Sequence, residues 1–233
     1  MRLGLYWTCR VEKATVRSNA DQRGGTTSSY SHVHCCLKVT HCALTITVET
    51  QFKVNTYIID KDDILVWVGS AWEPFASEND GAELISRNVI GRNLWDFVTD
   101  ETTIFLYKEM LSKVRSGHAV HFSFRCDSPT VRRFLEMHIT KASRDSVQFQ
   151  TVINLVEERT FQKLYQRPNN PRAEIVVTCS WCKKIEIDKE VWVEVEAAAD
   201  ILGLFDLDRT PQLEHRVCPT CYQKAQKSLG ASE

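Results

Sequence analysis

The sequence predicts an α+β protein: a five-stranded antiparallel sheet with helices on one face, followed by a small unit organised by four cysteines. Three observations carry this prediction. Residues 54–160 run as two short apolar segments, a stretch of helical spacing, and three consecutive segments of period-two alternation. Each alternating segment puts its apolar residues on one face, which is the pattern of an antiparallel sheet covered on one side. The last quarter of the chain carries two C-x-x-C pairs separated by 35 residues. A chain of 233 residues, 43% hydrophobic and 25% charged, has the balance of an ordinary globular protein with room for one large or two small domains.

Residues 1–53 show no regular period and are expected to form a disordered N-terminal segment. The stretch Arg17–Ser31 is polar and rich in Gly, Ser and Thr. Next to it stand His32, His34, Cys35, Cys36, His41 and Cys42, donors in kind. Adjacent Cys35 and Cys36 make awkward ligand geometry, however, and no second spaced pair completes a site.

Tyr57-Ile58-Ile59 and Ile64-Leu65-Val66-Trp67 read as two strands around the turn Asp60–Asp63. Trp72 to Asn79 reads as a short aromatic helix. Asp100 is placed to cap a longer one, with Glu101 facing the positive end of its dipole. In that helix Ile104, Tyr107, Leu111 and Val114 form an apolar face, and Gly117 ends it. Three strands follow. Val120, Phe122, Phe124 and Cys126 alternate with His121, Ser123, Arg125 and Asp127. Val131, Arg133, Leu135, Met137 and Ile139 share one face of the next strand, and Val147, Phe149, Thr151, Ile153 and Leu155 one face of the last. Pro168-Asn169-Asn170-Pro171 marks residues 161–174 as a linker.

The third segment, residues 175–227, holds C-x2-C-x35-C-x2-C: Cys179, Cys182, Cys218 and Cys221. Each C-x-x-C turn aims two thiolates at one point, and two turns complete a tetrahedral shell that suits Zn²⁺. The spacer is expected to contain a helix carrying Val191, Val195, Ala198, Leu202 and Phe205. So small a unit rarely folds on its core alone, so a bound ion would decide its folding. A redox dithiol and an iron–sulfur cluster are the alternatives for this donor set. His215, three residues before Cys218, is a candidate replacement ligand, but reads more simply as a surface histidine or a neighbour of the site. Four cysteines leave no open coordination position, which points to a structural rather than a catalytic ion.

Trp72-x-x-Phe75-Ala76-x-x-Asn79, Val89-Ile90-Gly91-Arg92-x-Leu94-Trp95-Asp96-Phe97 and Phe124-Arg125-Cys126-Asp127-Ser128-Pro129-x-x-Arg132-Arg133 resemble a recurrent bacterial subgroup of PAS domains. Cys179-Ser180-Trp181-Cys182-Lys183 and Cys218-Pro219-x-Cys221 are similar to a cysteine-rich tail found beside such domains. The resemblance spans residues 55 to 222. It implies a sensory domain over residues 54–160, with a small-molecule pocket between helices and sheet. Trp72, Phe75, Trp95, Tyr107, Arg125 and Arg133 are the pocket candidates. The plainer role of the aromatics, Phe97 included, is the core. Arg133 shares a face with apolar residues and so requires an anion: Asp127, Asp96 or a ligand carboxylate. His121 and His138 fall on the outer face, which argues against haem. Cys126 lies in a strand, which argues against a flavin adduct.

The sequence contains no Walker A loop, G-x-S-x-G elbow, H-E-x-x-H pair or dinucleotide glycine fingerprint. The expectation is therefore a non-catalytic sensor or adaptor that acts through a protein partner or as a homodimer. The outer sheet face bearing His121, Arg125 and His138 is the candidate contact surface. One alternative is a PAS-regulated zinc-ribbon binder of nucleic acid. Against it, Glu186, Asp188, Glu190, Glu194, Glu196 and Asp200 crowd the module that carries Lys183 and Lys184, and phosphate contacts dominate such affinity. A thiol or iron–sulfur redox sensor is the other alternative. The net charge of −1 offers no pull toward an anionic membrane. With no apolar run near the ~20 residues of a span and no secretory signal in Met1–Arg10, a cytoplasmic protein is expected.

Overall fold

The computed structural model describes residues 54–78, 81–165, 174–203 and 210–230. The N-terminal segment with its His/Cys patch, Asn79, Phe205 and the Pro168–Pro171 motif lie outside the described residues.

Strands β1 (Val54–Ile59) and β2 (Leu65–Val68) pair antiparallel across the predicted turn. The Asp60 carboxylate accepts from the N–H groups of Asp62 and Ile64, both at 2.9 Å, which holds the chain in the turn. Helix α1 (Trp72–Glu78), a 3-10 turn (Ala82–Leu84), helix α2 (Ser86–Val89) and a second 3-10 turn (Leu94–Phe97) lead to α3 (Glu101–Arg115). Asp100 caps α3, its Oδ1 accepting from the Thr102 N–H at 3.0 Å, as its position predicts. The buried face of α3 is Thr103, Leu106, Met110, Leu111 and Val114, so it is rotated from the expected one. Ile104 and Tyr107 are only half-buried.

Strands β3 (Val120–Arg125), β4 (Val131–Ser143) and β5 (Ser146–Glu158) complete an antiparallel sheet of order β2-β1-β5-β4-β3. Every second residue of β4 from Val131 to Ile139 is buried, Arg133 included, as the alternation predicts. In β5 the expected face breaks down. Phe134 pairs with Leu155 but Leu135 with Ile153, so one extra residue enters β5 and reverses the alternation beyond it. Leu155 consequently faces solvent. The main core lies between sheet and helices, with Ile59, Leu94, Leu106, Met110, Leu111, Ile139, Val147 and Phe149 all but fully buried. Tyr57 stacks on Phe149 at 4.6 Å.

A second sheet follows, of order β8-β7-β6-β9: β6 (Ile175–Cys179), β7 (Ile185–Asp188), β8 (Val191–Val193) and β9 (Gln212–Arg216). β6 and β9 run parallel, and the other pairs are antiparallel. Helix α4 (Val195–Ile201) bridges β8 to β9, and α5 (Pro219–Gly230) closes the described chain. The helix expected from Val191 is thus shorter. Val191-Trp192-Val193 is a β-branched and aromatic run that pairs with β7 instead, and Glu194 is extended before α4 begins. Leu164 and Tyr165, in the 3-10 turn Lys163–Tyr165, are buried in the cluster that contains Val176, Ile185, Val195, Ala198 and Ala199.

All described residues belong to one compact unit. Phe122 and the α3 residues share a continuous apolar cluster with Cys179, Trp181, Cys218, Cys221 and Ala225. Among the described residues, no helix is long and apolar enough to cross a membrane.

Candidate metal centre

The four cysteines of the two C-x-x-C pairs come together from three elements. Cys179 ends β6, Cys182 lies in the turn after it, and Cys218 and Cys221 stand at the start of α5. The first turn reverses tightly. Lys183 adopts φ 61°, its N–H donates to the Cys179 carbonyl at 3.1 Å, and the Cys179 N–H donates to Lys184 O at 2.7 Å. In the second, Pro219 opens the helix, where its missing N–H is harmless, and Cys218 sits at the positive end of the helix dipole.

All four Sγ atoms lie within 4.8 Å of one another, the Cys182 and Cys218 sulfurs at 3.7 Å. A regular tetrahedron with Zn–S of about 2.3 Å has edges of about 3.8 Å, so the spacing fits a four-thiolate shell. Backbone donors surround the sulfurs. Cys179 Sγ accepts from Cys182 N at 3.5 Å and Cys218 N at 3.3 Å, and Cys218 Sγ accepts from Cys221 N at 3.4 Å. Such N–H groups favour thiolate and orient it. No disulfide joins the five described cysteines.

Hydrogen bonds from Cys182, then Cys218 and Cys221, pull the Cys179 thiol far below its ordinary range. Hydrogen bonding with Cys179, then with Cys218 for Cys182 and with Cys182 and Cys218 for Cys221, and burial push these two thiols upward. Four sulfurs this close cannot all ionise unaided, and a divalent cation removes that conflict. His215, on β9, is not among the four donors. Burial first, and then repulsion from Lys183, lowers it to about 2, so the imidazole is neutral.

The centre is keyed into the five-stranded sheet. Trp181, between the first two cysteines, stacks on Phe122 of β3 at 4.5 Å, and its carbonyl accepts the Arg125 N–H at 2.7 Å. Ser180 Oγ donates to Asp100 Oδ2 at 2.7 Å, the carboxylate that caps α3. β3 is an edge strand, and the cysteine turn covers its end.

Beside this contact lies a network of charges. Arg125 donates to both carboxylate oxygens of Asp127, and to Glu194 Oε2 at 2.7 Å. Arg159 donates to Asp127 Oδ2 at 3.1 Å and to Ser128 O at 2.7 Å. Arg132 donates to Glu196 Oε1 at 3.0 Å. Burial opposes the Arg125 charge, but Asp127 and Glu194 outweigh it and hold the guanidinium firmly protonated. Arg125 therefore does not join His121 and His138 on an open outer face. It is 7% exposed and committed to its two carboxylates. His121 and His138 do stack on that face, with ring centres 6.2 Å apart.

The remaining pocket candidates separate. Trp72 is core, its Nε1 donating to Leu84 O at 2.6 Å, and Tyr107 packs beside Phe122 and Phe149. Trp95 is half-buried over Asp63, which accepts its Nε1–H at 2.8 Å. Phe75 falls in a different apolar cluster, with Cys126 and Leu135. Arg133 pairs with neither expected carboxylate, since Asp127 serves Arg125 and Arg159 while Asp96 pairs with Arg92. The sequence offers Asp127 as a partner for Arg133; that it serves Arg125 and Arg159 instead, and that Glu194 and Glu196 join the junction, has no local mark. Their pairing depends on residues up to 69 positions apart.

No protein-family model matches the chain, and no curated protein matches it.

Proposed function

We propose that the protein is a non-catalytic sensor or adaptor in which a PAS-like sheet domain receives a small ligand or partner and a structural Zn²⁺ rigidifies a docking layer. Cys179, Cys182, Cys218 and Cys221 would hold the ion, which supplies folding energy and leaves no open position for chemistry. The observation that carries this reading is the closed four-sulfur shell locked onto β3 and the cap of α3 through Trp181 and Ser180. The order of two strands, helices and three strands around one sheet supports the PAS-like assignment. The stacked His121 and His138 leave an outer face for a protein partner or a second copy. A four-thiolate centre at Cys179, Cys182, Cys218 and Cys221 would suit a reducing, cytoplasmic setting.

Metal analysis of the purified protein, with thermal unfolding followed before and after chelation, tests this. One zinc per chain, lost together with the cooperative unfolding of residues 175–230, is the expected result. Iron with visible absorbance would replace the structural ion by a redox centre.

A further inference from the structure

We infer that Arg133 anchors a small monocarboxylate with an apolar body, bound at the end of the inner sheet face beside Phe75, Cys126 and Leu135. This rests on the ligand-sensing reading of the sheet domain and specifies its ligand.

The buried cations near this end of the sheet are otherwise matched. Arg125 and Arg159 divide Asp127 between them, and their side chains are 8% and 6% exposed. Arg133 is equally withdrawn, at 8%, yet no ion pair or side-chain hydrogen bond joins it to the described residues, and its buried Nη1 has no hydrogen-bond partner. A guanidinium withdrawn from water with no anion is a standing cost that a fixed carboxylate would remove. The planar fork suits a carboxylate in particular, through two parallel N–H donors.

The surroundings define the rest of the ligand. Arg133 shares its face with Val131 and Leu135, and its carbonyl accepts the Cys126 N–H at 3.1 Å, so its side chain emerges next to the Phe75, Cys126 and Leu135 cluster. Phe124 and Ile153 pack against that cluster. One anionic head and an apolar remainder fit this lining, whereas a second carboxylate would meet apolar side chains. Val156, the β5 residue opposite Arg133, is 48% exposed, so this end of the sheet opens toward solvent.

The test is thermal unfolding and calorimetric titration of the full chain, after dialysis, with hexanoate, benzoate, succinate and inorganic phosphate. The wild type is compared with Arg133→Met and Arg133→Lys. Hexanoate or benzoate should raise the wild-type Tm by several degrees, with succinate and phosphate weaker. Arg133→Met should raise the Tm of the ligand-free protein, because it removes an unpaired buried charge, and should abolish the response. Arg133→Lys keeps the charge without the fork and should weaken binding roughly tenfold. A ligand-free Arg133→Met protein that is less stable, or unfolded, would mean that the protein itself supplies the anion, and would overturn the site. Equal responses in wild type and Arg133→Met would overturn it while leaving a ligand-sensing domain in place. No response of the wild type to any probe removes the carboxylate site, and the metal analysis above then judges the sensor–adaptor reading separately. A phosphate or succinate response as large as that to hexanoate would overturn the apolar body.

Discussion

In the five-stranded sheet, β4 and β5 run 13 residues each; β4 buries every second side chain from Val131 to Ile139, and β5 buries Val147 and Phe149. In the four-stranded sheet the strands run three to five residues, and the apolar cluster beneath them is small, with two alanines among its members. The first region encloses enough apolar surface to be held by burial. The second has a smaller cluster of its own, shares Trp181, Cys218 and Ala225 with the main core, and adds four close sulfurs and a charged junction to its neighbour. On the structural-zinc proposal, the second region depends on an ion and on docking, whereas the first is held by its own core. That difference makes the cysteine layer the part of the molecule whose state is open to control.

Removing one sulfur should show this asymmetry most sharply. Structural zinc contributes apparent binding energies of about 10–16 kcal/mol in small modules, so Cys179→Ser should release the ion and unfold residues 175–230. Hydrogen exchange should show those residues unprotected while β1, β4 and β5 stay protected. Uniform loss across both sheets would mean that the large sheet also depends on the metal layer.

The charged junction comes next. Asp127→Ala leaves Arg125 and Arg159 buried without their shared carboxylate, a loss of about 3–5 kcal/mol. Glu194→Ala removes a half-exposed partner of Arg125 and should cost about 1 kcal/mol or less. Denaturant midpoints measure both. Equal losses would show that the buried and exposed arms of the network are not energetically distinct.

His215 gives the pH dependence. Its folded pKa of about 2 lies below the ordinary 6.5, so below pH 6.5 the unfolded chain binds a proton that the folded chain refuses. The contribution is complete above pH 6.5 and drains as pH falls toward 2, by up to about 1.4 kcal/mol per unit. His215→Gln should flatten the stability profile of the metal-loaded protein between pH 6.5 and 5 relative to wild type. Parallel profiles would mean that acid acts only through the thiolates.

The two regions also differed in how far the sequence revealed them. The large sheet is legible because its rule is local: alternation in β4 marks Val131 to Ile139 as one buried face, and Asp100 announces the start of α3. The cysteine set is legible from spacing alone. The β5 register shift beside Leu155 is not, because a single inserted residue has no compositional mark. Nor is strand β8, where helical spacing from Val191 competes with pairing to β7 and loses. Arg125 illustrates the limit best. Alternation placed it on the outer face, and only the return of Glu194 from 69 residues away shows that this part of the face is covered.

The smallest expected effect probes how the two regions communicate. Ser180 Oγ donates to Asp100 Oδ2, which also accepts the Thr103 hydroxyl at 2.6 Å. The serine lies between two candidate ligands, Cys179 and Cys182, and the aspartate caps α3, so this bond links the cysteine turn to the helix over the sheet. Ser180→Ala should cost only about 0.5–1.5 kcal/mol in overall stability. Its informative readout is local. With the link intact, chelation should raise amide exchange at Thr102 and Thr103, because the released turn no longer steadies the capping carboxylate. In Ser180→Ala those amides should exchange faster already in the metal-loaded protein and respond less to chelation. An unchanged chelation response in the variant would assign the coupling to the Trp181–Phe122 stack instead, and Trp181→Leu would then become the decisive substitution.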